Sequence, residues 1–242
     1  MKLPDKLSGA CVILGGGGHA KMLIEAILAT EPNATLAVLD ADERSWGRWL
    51  LGAPIFGGDA LLPELVKRGA THFSVGLGST GDTNPRRKLF NFGIAQGLKA
   101  RSIVHPSAVC SPYAQLRAGV QLLPRSIVNV SAVLKENVIV NSGAIVEHDC
   151  TIGEHTHIAT GAHLAGGVRV GSGVHIGIGA TIREKIEIGD GAIIGAGAVV
   201  VKNVSPHTVV AGVPARPLRK AQAAIGSQSH QGSASDKSGD VR

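Results

Sequence analysis

Aromatic side chains are scarce in this chain of 242 residues, since phenylalanine, tryptophan and tyrosine together make up 3% of it. A hydrophobic content of 44% still predicts a globular protein, whose core must then be built from small and branched aliphatic side chains. The few aromatics are scattered and offer no surface on which nucleic-acid bases could stack. The net charge of +6 therefore favours small anionic ligands over nucleic acid as binding partners.

Paired cysteines and long apolar runs are also missing. Cys11, Cys110 and Cys150 are widely spaced and odd in number, which excludes a disulfide framework and indicates a reducing compartment. No run of eighteen apolar residues exists, so no transmembrane helix is predicted. The apolar stretch at residues 12–14 runs into four glycines, which is unlike a secretory signal. We therefore expect a cytoplasmic protein.

A repeat of six residues dominates the second part of the chain. A small or aliphatic residue stands at every sixth position, and another often follows four residues later, as at Ala132 and Ala144. This period fits neither an α-helix nor an alternating strand. It predicts a coil with three short sides and eighteen residues per turn, in which each turn buries its apolar edge against its neighbours. The positions are Val104, Cys110, Leu116, Leu122, Val128, Leu134, Val140, Val146, Ile152, Ile158, Leu164, Val170, Ile176, Ile182, Ile188, Ile194 and Val200.

The first hundred residues have a different pattern. Short apolar runs at 10–14, 35–40 and 71–77 predict strands, and the segments 21–28, 57–68 and 85–98 have helical spacing. This alternation predicts a small parallel α/β sheet of the Rossmann type. We divide the chain into an α/β domain at 1–100, an all-β coil domain at 101–218 and a disordered tail at 219–242 that is rich in serine and glycine.

A glycine-rich loop lies between the first strand and the first helix. Gly15, Gly17 and Ala20 fit the spacing of a nucleotide-binding turn, in which the N–H groups at a helix N-terminus hold phosphate oxygens. Asp40 ends the second strand and is placed to accept hydrogen bonds from a ribose. The sheet is short, so half a Rossmann unit that binds one nucleotide suits it better than a full dinucleotide fold.

The hexads resemble those of the hexapeptide-repeat acyltransferases, whose parallel β-helix winds left-handed. The loop at 14–20, Asp40 and the glycines at 76 and 78 resemble the nucleotide-sugar domain of bacterial sugar N-acetyltransferases of the bacillosamine and perosamine type. Sialic acid O-acetyltransferases share this layout of two parts. The resemblance implies ligand contacts from Gly16, Gly17, Gly18, His19, Asp40, Gly78 and Arg86, with Arg87 as the alternative to Arg86.

Three polar residues interrupt the hexads at Glu147, His148 and Asp149, with Asn141 before them and His157 after. This pattern resembles the active site of the same acetyltransferases. His157 follows His148 by nine residues, which is half of one coil, so the two side chains belong to different corners of the prism. One side of about five residues spans roughly 16 Å, and a shared site then requires a neighbouring chain. We expect a homotrimer with active sites between its subunits.

The predicted chemistry is direct acetyl transfer from acetyl-CoA to an amino group of a nucleotide-linked sugar. His148 serves as general base, with Asp149 or Glu147 fixing its tautomer. The resemblance assigns Asn141 and His157 to the same site, and it assigns the N–H of Gly166, one coil beyond His148, to the acetyl carbonyl. It also implies CoA contacts from His157, Gly166, Ile178 and Ala196, and no metal. The favoured acceptor is a UDP-linked 4-amino-4,6-dideoxy sugar, with GDP-perosamine second.

Other functions remain open at this point. Sialic acid or another sugar could accept the acetyl group through a hydroxyl, with the same fold and base. A zinc enzyme of the γ-carbonic-anhydrase type could use His157 and His175, which are eighteen residues apart. A catalytically inactive nucleotide-sugar sensor would lack the intact set of polar residues. The glycine loop alone would also suit an oxidoreductase that uses NAD.

Overall fold

The structure is a computed structural model that describes residues 3–221. Its N-terminal part is a six-stranded sheet in the order β3-β4-β2-β1-β5-β6, parallel throughout except for the antiparallel pair β3 and β4. The central strand is buried along its whole length, as its apolar sequence predicts. The elements are β1 (Cys11–Leu14), α1 (Gly18–Thr30), β2 (Leu36–Leu39), β3 (Trp49–Leu50), β4 (Ala53–Gly57), α2 (Leu62–Lys67), β5 (His72–Val75), α3 (Asn84–Ala95) and β6 (Lys99–Ala100).

The predicted α/β order is confirmed, with one correction. The segment 57–68 is not one helix, because β4 ends at Gly57 and a 3₁₀ turn at Asp59–Leu61 precedes α2. The sequence analysis also missed the hairpin formed by β3 and β4. Its strands are short, and the first has only two residues, so the alternation that would reveal a strand is too brief to read.

The hexad region forms a left-handed parallel β-helix, which confirms the predicted fold. Each hexad contributes one strand of two residues and one turn. The strands are β7 (Ile103–Val104), β8 (Val109–Cys110), β9 (Gln115–Leu116), β10 (Gln121–Leu122), β11 (Ile127–Val128), β12 (Val133–Leu134), β13 (Ile139–Val140), β14 (Ile145–Val146), β15 (Thr151–Ile152), β16 (His157–Ile158), β17 (His163–Leu164), β18 (Arg169–Val170), β19 (His175–Ile176), β20 (Thr181–Ile182), β21 (Glu187–Ile188), β22 (Ile193–Ile194) and β23 (Val199–Val200).

These strands stack into three flat faces. Each face takes every third strand of the coil. Face 1 contains β7, β10, β13, β16, β19 and β22. Face 2 runs in the same way from β8 to β23, and face 3 from β9 to β21. The hexad positions from Leu122 to Val200 are buried and form one core, which supplies the burial that each coil lacks alone. Val104 is exposed, since the first coil has a neighbour on one side only.

The turns of the coil repeat as strictly as its strands. From Gly119 to Gly197, a residue in every hexad has a positive φ, between 57° and 73°. Glycine takes many of these positions because it has no side chain to clash, but Asn137, Asp149 and His155 take others. The sixfold period is therefore set by backbone conformation as well as by apolar side chains.

The α/β domain packs on face 1 of the β-helix. Ile103 and Ile139 of that face are buried in the same cluster as Leu23 and Ile27 of α1. On the other side of the sheet, Phe90 of α3 contacts the coil at His155, with ring centroids 5.5 Å apart. One face of the prism is thus covered by the α/β domain of the same chain.

After the last hexad, β24 (Thr208–Ala211) joins face 1 and pairs with β25 (Arg216–Lys220). The strand β25 extends two residues beyond the expected boundary at Leu218. The rest of the tail predicted at 219–242, from residue 222 onward, lies outside the described residues. No helix within residues 3–221 has the length and apolar character needed to cross a bilayer.

Candidate active site

The glycine loop lies at the carboxyl end of the sheet, where β1 leads into α1. The Gly16 N–H donates to one carboxylate oxygen of Asp40, and the Asp42 N–H donates to the other at 2.7 Å. Gly17 is the N-cap of α1 and, like Gly18, is exposed, without a side chain to cap the helix. The free N–H groups of this helix end form a site suited to an anionic group, with Asp40 held rigidly beside it.

His19 lies in the first turn of α1, between the loop and the β-helix. Its Nε2 lies 2.7 Å from Oε1 of Gln121, whose amide nitrogen donates to the Val75 carbonyl at 3.0 Å. A carbonyl can only accept, so the Gln121 amide is oriented with its oxygen toward His19, and Nε2 must carry the proton. Burial, aided by the Arg86 charge, lowers the pKa of His19 to about 4. His19 is thus neutral, and its Nδ1 is an acceptor on the side of Gly78.

Arg86, which was predicted to contact the ligand, makes its hydrogen bonds to the protein backbone in the structure. Its side chain is fully buried, and its Nη1 donates to the carbonyls of Val75 and Leu77 at 2.9 and 2.8 Å. Burial lowers the pKa of the guanidinium to about 9. Arg86 therefore holds the end of β5 in place. The alternative, Arg87, is exposed at the mouth of a cavity of about 700 Å³ between the α3 entrance and the coil.

Asn141 and His157, which were predicted to belong to the catalytic site, form a pair inside the chain. The Nδ1 of His157 lies 2.8 Å from the Ser79 carbonyl, so it carries the proton, and Nε2 accepts from the Asn141 amide at 3.0 Å. Both ring nitrogens are thus occupied. Burial, with the adjacent His175, lowers the pKa of His157 to about 3. The imidazole lies on face 1, beneath the α/β domain, and fixes the loop that follows β5.

The same contacts weigh against the zinc alternative. His157 and His175 do pair across adjacent coils, with ring centroids 5.3 Å apart. The ring nitrogens of His157 are already engaged, and in residues 3–221 no three His, Cys, Asp or Glu side chains are grouped so that they could hold a metal ion. His157 therefore has no free nitrogen for a metal ion, and a third ligand is missing in this part of the chain.

His148 lies in the turn between β14 and β15, at the corner where faces 2 and 3 meet. Its side chain is 56% exposed, and its Nδ1 lies 2.8 Å from the Asp149 carboxylate. Because a carboxylate only accepts, Nδ1 carries the proton and Nε2 presents a lone pair to solvent. Asp149 takes one of the positive-φ turn positions, at 60°, which places its carboxylate beside the ring. This arrangement has the geometry of an oriented general base.

Gly166 lies one coil beyond His148 and leaves room at that imidazole. A Cβ at Gly166 would lie 2.6 Å from Nε2 of His148. The Gly167 N–H donates to the His148 carbonyl at 2.9 Å, whereas the Gly166 N–H makes no hydrogen bond within the described part of the chain. The imidazole of His148 therefore lies against the backbone of Gly166, whose N–H remains as a donor for an oxyanion.

Cys150, the last residue of the polar string, is buried and donates its S–H to the Ala165 carbonyl at 3.2 Å. Burial raises the pKa of its thiol to about 11. A thiolate is the reactive form of cysteine, so this side chain is not available as a nucleophile. The site thus offers a base but no side chain suited to carry an acyl group.

The remaining predicted residues lie at another corner. Ile178 and Ala196 are eighteen residues apart and stack in adjacent turns between faces 1 and 2, where both are exposed. His148 and Gly166 lie between faces 2 and 3. Within one chain the structure therefore separates three groups: the nucleotide loop over face 1, the base with Gly166 at one corner, and the predicted CoA residues Ile178 and Ala196 at a second corner.

Sequence reasoning missed Gln121 and Ser79, which connect the α/β domain to face 1. Gln121 is fully buried and stands on that face one coil before Ile139. The only signal in the sequence was that Gln121 stands at an outward hexad position, whereas the adjacent coils have isoleucine at that position, at Ile103 and Ile139. Such a residue must find partners outside the coil, but the sequence does not say which.

Two family models match the chain. The bacterial transferase hexapeptide family (six repeats) matches residues 131–166 and 167–202. The PglD N-terminal domain matches residues 11–91. No curated protein matched the chain.

Several solved structures are similar over nearly their whole length. PerB from Caulobacter crescentus, in complex with CoA and GDP-perosamine, is 37% identical with a TM-score of 0.81, covering 87% of this chain and 98% of that one. A variant of perosamine N-acetyltransferase from the same organism, with the same ligands, is 37% identical with a TM-score of 0.82. The match covers 88% of this chain and 98% of that one. The acetyltransferase domain of PglB from Neisseria gonorrhoeae, with acetyl coenzyme A, is 34% identical with a TM-score of 0.80. The match covers 87% of this chain and 100% of that one.

Proposed function

Because the chain belongs to the hexapeptide-repeat sugar acetyltransferases that carry a PglD-type N-terminal domain, we propose that it transfers an acetyl group from acetyl-CoA to the amino group of a nucleotide-linked amino sugar. The similarity to PerB carries this proposal, since it spans both domains at 37% identity and PerB holds CoA and GDP-perosamine. The exposed His148 beside Gly166 supplies the chemistry that such a transfer needs.

We assign the role of general base to His148. The amine nitrogen attacks the thioester carbon, and its proton passes to Nε2 of His148, whose tautomer Asp149 fixes through Nδ1. The negative charge on the carbonyl oxygen is stabilised by the Gly166 N–H. When the C–S bond breaks, the CoA thiolate leaves and takes up a proton as free CoA. No acyl-enzyme is needed, in keeping with the buried thiol of Cys150.

The nucleotide is proposed to bind at the glycine loop, with its diphosphate at the α1 N-terminus and its ribose at Asp40. The free N–H groups of Gly17 and Gly18 support the first contact, and the immobilised carboxylate supports the second. The preference for UDP reached from the sequence has no support among the similar structures. Since PerB is in complex with GDP-perosamine, a GDP-linked amino sugar is now the favoured acceptor.

A site shared between chains follows from the positions of its parts. The glycine loop stands over face 1, whereas His148 lies at the corner opposite that face. A nucleotide sugar bound to one chain therefore cannot easily reach the base of the same chain. A cyclic trimer would bring the loop of one subunit toward the base of the next, and we propose that assembly.

The test is incubation of purified protein with acetyl-CoA and a panel of GDP-, UDP- and dTDP-linked amino sugars, with matched sugars that carry hydroxyls only. Mass spectrometry should show one added acetyl group on an amino sugar and none on the hydroxyl controls. Acetylation of the hydroxyl controls alone would replace the amine by an O-acetyl acceptor. No acetylated product from any member of the panel would contradict the proposal.

A further inference from the structure

Trp46 is held rigidly beside Asp40, at the carboxyl end of β2. Its indole Nε1–H donates to the Asp40 carbonyl at 2.8 Å. The ring also lies against Gly58, where a Cβ would approach the indole Cζ2 to 3.2 Å. Despite both contacts, Trp46 remains 42% exposed. An indole fixed at two points and open to solvent is a preorganised apolar wall, unlike a tryptophan that merely fails to be buried.

The charges around this wall indicate which part of a nucleotide can lie there. Asp59, which follows Gly58, adds a second carboxyl group here, and its burial together with the Asp40 charge raises its pKa. A diphosphate would be repelled by this pair. Ribose hydroxyls and the N–H groups of a base are donors and suit it. The phosphates belong instead at the α1 N-terminus, where the Gly17 and Gly18 N–H groups lie.

This order fixes the direction of the bound nucleotide. With its diphosphate at the α1 N-terminus and its ribose at Asp40, the nucleotide extends its base past the end of β2. Trp46 and Gly58 occupy that place, and the missing side chain of Gly58 lets the indole lie there. Aromatic side chains bind bases of any sequence because every base has a π-face.

We infer that the indole of Trp46 is the surface on which the nucleobase of the sugar nucleotide stacks. The inference rests on the proposed function, because it takes the glycine loop and Asp40 as the diphosphate and ribose sites. It assigns a specificity element to the segment between β2 and β3, for which the α/β pattern alone gives no role.

The chain contains two tryptophans, which allows a direct test. Trp49→Phe leaves Trp46 as the single tryptophan, and Trp46→Phe leaves Trp49. Titration of both full-length variants with GDP and with UDP should quench the Trp46 fluorescence in a saturable way and leave that of Trp49 nearly constant. Isothermal titration calorimetry on the same samples gives the dissociation constants independently.

A second measurement removes the ring. Trp46→Ala should raise the KM for the sugar nucleotide about tenfold or more, the usual worth of a stacked base, with kcat and the KM for acetyl-CoA unchanged. Trp49→Ala is the matched control, since Trp49 lies three residues further on, in β3, and is 64% exposed; its KM values should stay at those of the wild type. Circular dichroism and thermal melting establish that the variants are folded.

The outcomes separate the inference from the proposed function. If calorimetry detects nucleotide binding while the fluorescence of Trp46 does not respond, the base lies elsewhere and the inference is wrong, with the function intact. Equal effects of Trp46→Ala and Trp49→Ala on the sugar-nucleotide KM would also overturn it. If neither GDP, UDP nor dTDP binds the wild-type protein, the proposed function fails and takes the inference with it.

Discussion

At the scale of single residues, the orientation of His148 is decided by its neighbours. Asp149 fixes the proton on Nδ1, and Gly166 leaves the space that the lone pair on Nε2 needs. Gly166 thus joins the adjacent residues His148 and Asp149 in one unit, because the coil returns after eighteen residues. His157 shows the opposite outcome, since its two nitrogens are used by Asn141 and Ser79 and none is left for chemistry.

His148→Ala is expected to lower kcat by about 10²–10⁴, the usual worth of a general base, because the attacking amine then loses its proton acceptor. Folding and acetyl-CoA binding should stay close to wild type, since the side chain is exposed. Steady-state kinetics with a GDP-linked amino sugar provides the measurement. His163→Ala, at an exposed histidine of the same coil, is the control. Wild-type turnover in His148→Ala would remove the base from this position.

Asp40→Ala should raise the KM for the sugar nucleotide by about 10- to 100-fold, the range for hydrogen bonds to a charged group. The carboxylate accepts from Gly16 and Asp42, so its loss also loosens the loop. The KM for acetyl-CoA should not change, because that substrate has no contact with the loop in the proposed arrangement. Asp40→Asn keeps one acceptor oxygen, so its KM for the sugar nucleotide should lie between those of the wild type and of Asp40→Ala. Equal increases in both KM values would assign the loop another task.

At the scale of secondary-structure elements, the β-helix depends on two different uses of glycine. At the turn position of Gly143, φ is +67° and no atom lies within 4 Å of a Cβ. Asn137 holds the same conformation one hexad earlier. At Gly153 the backbone has ordinary φ, but a Cβ would collide with the carbonyl group of Gly171 in the next coil. The first position requires a conformation, and the second requires empty space.

This difference gives a matched pair of substitutions. Gly143→Asn should change the free energy of unfolding by less than about 1 kcal/mol, because asparagine tolerates a positive φ. Gly153→Ala should cost about 3 kcal/mol or more, since it forces two coils apart in a closely packed stack. Urea denaturation followed by circular dichroism measures both. Similar stabilities for the two variants would contradict the separation of roles.

At the scale of the whole molecule, the buried His157 and the partly buried His19 lie between the α/β domain and face 1. Burial lowers the pKa of His19 to about 4 and that of His157 to about 3, from an ordinary value of 6.5. The unfolded chain therefore binds protons that the folded chain does not, once the pH falls below 6.5. Stability is fully present above that pH and decreases toward the two lowered pKa values.

The free energy of unfolding should thus fall by roughly 1.4 kcal/mol per pH unit for each of these histidines below pH 6.5. Urea titrations at intervals between pH 7.5 and about 4.5 measure the slope. His157→Gln should flatten it, since the side chain no longer takes up a proton on unfolding. His163→Gln, at an exposed site, should leave the slope of the wild type. A slope that is unaffected by His157→Gln would show that the interface does not suppress its protonation.

The proposed trimer predicts complementation between inactive chains. The glycine loop lies over face 1 and His148 at the opposite corner, so Asp40→Ala and His148→Ala damage parts of a site that come from two subunits. The two variants, denatured and reassembled together, should regain on the order of a quarter of wild-type activity at low sugar-nucleotide concentration, because a quarter of the random interfaces carry both intact parts. Each variant reassembled alone is the control. Without recovery in the mixture, each site would lie within one chain.

The sequence by itself determined the features that repeat or that are local. The period of six fixes the coil, and the eighteen-residue turn places Gly166 over His148 before any coordinates are known. The glycine loop and Asp40 follow from a strand, a turn and a helix that are contiguous in the chain. In each of these features, the partner residues are separated by a regular interval or by a few residues, so the sequence pattern predicts which residues meet.

Only the tertiary structure decided which face of the coil the α/β domain covers. That choice brings His157 and Gln121 into contact with Ser79, Ser74 and His19, over 47 to 102 positions of the chain. No periodicity relates such partners, and an outward polar side chain on a hexad has the same sequence signature whether it meets solvent, a substrate or another domain. The docking is decided by the fit of α1 and the β5 loop against the isoleucines of face 1, a matter of shape and burial that a linear pattern does not encode.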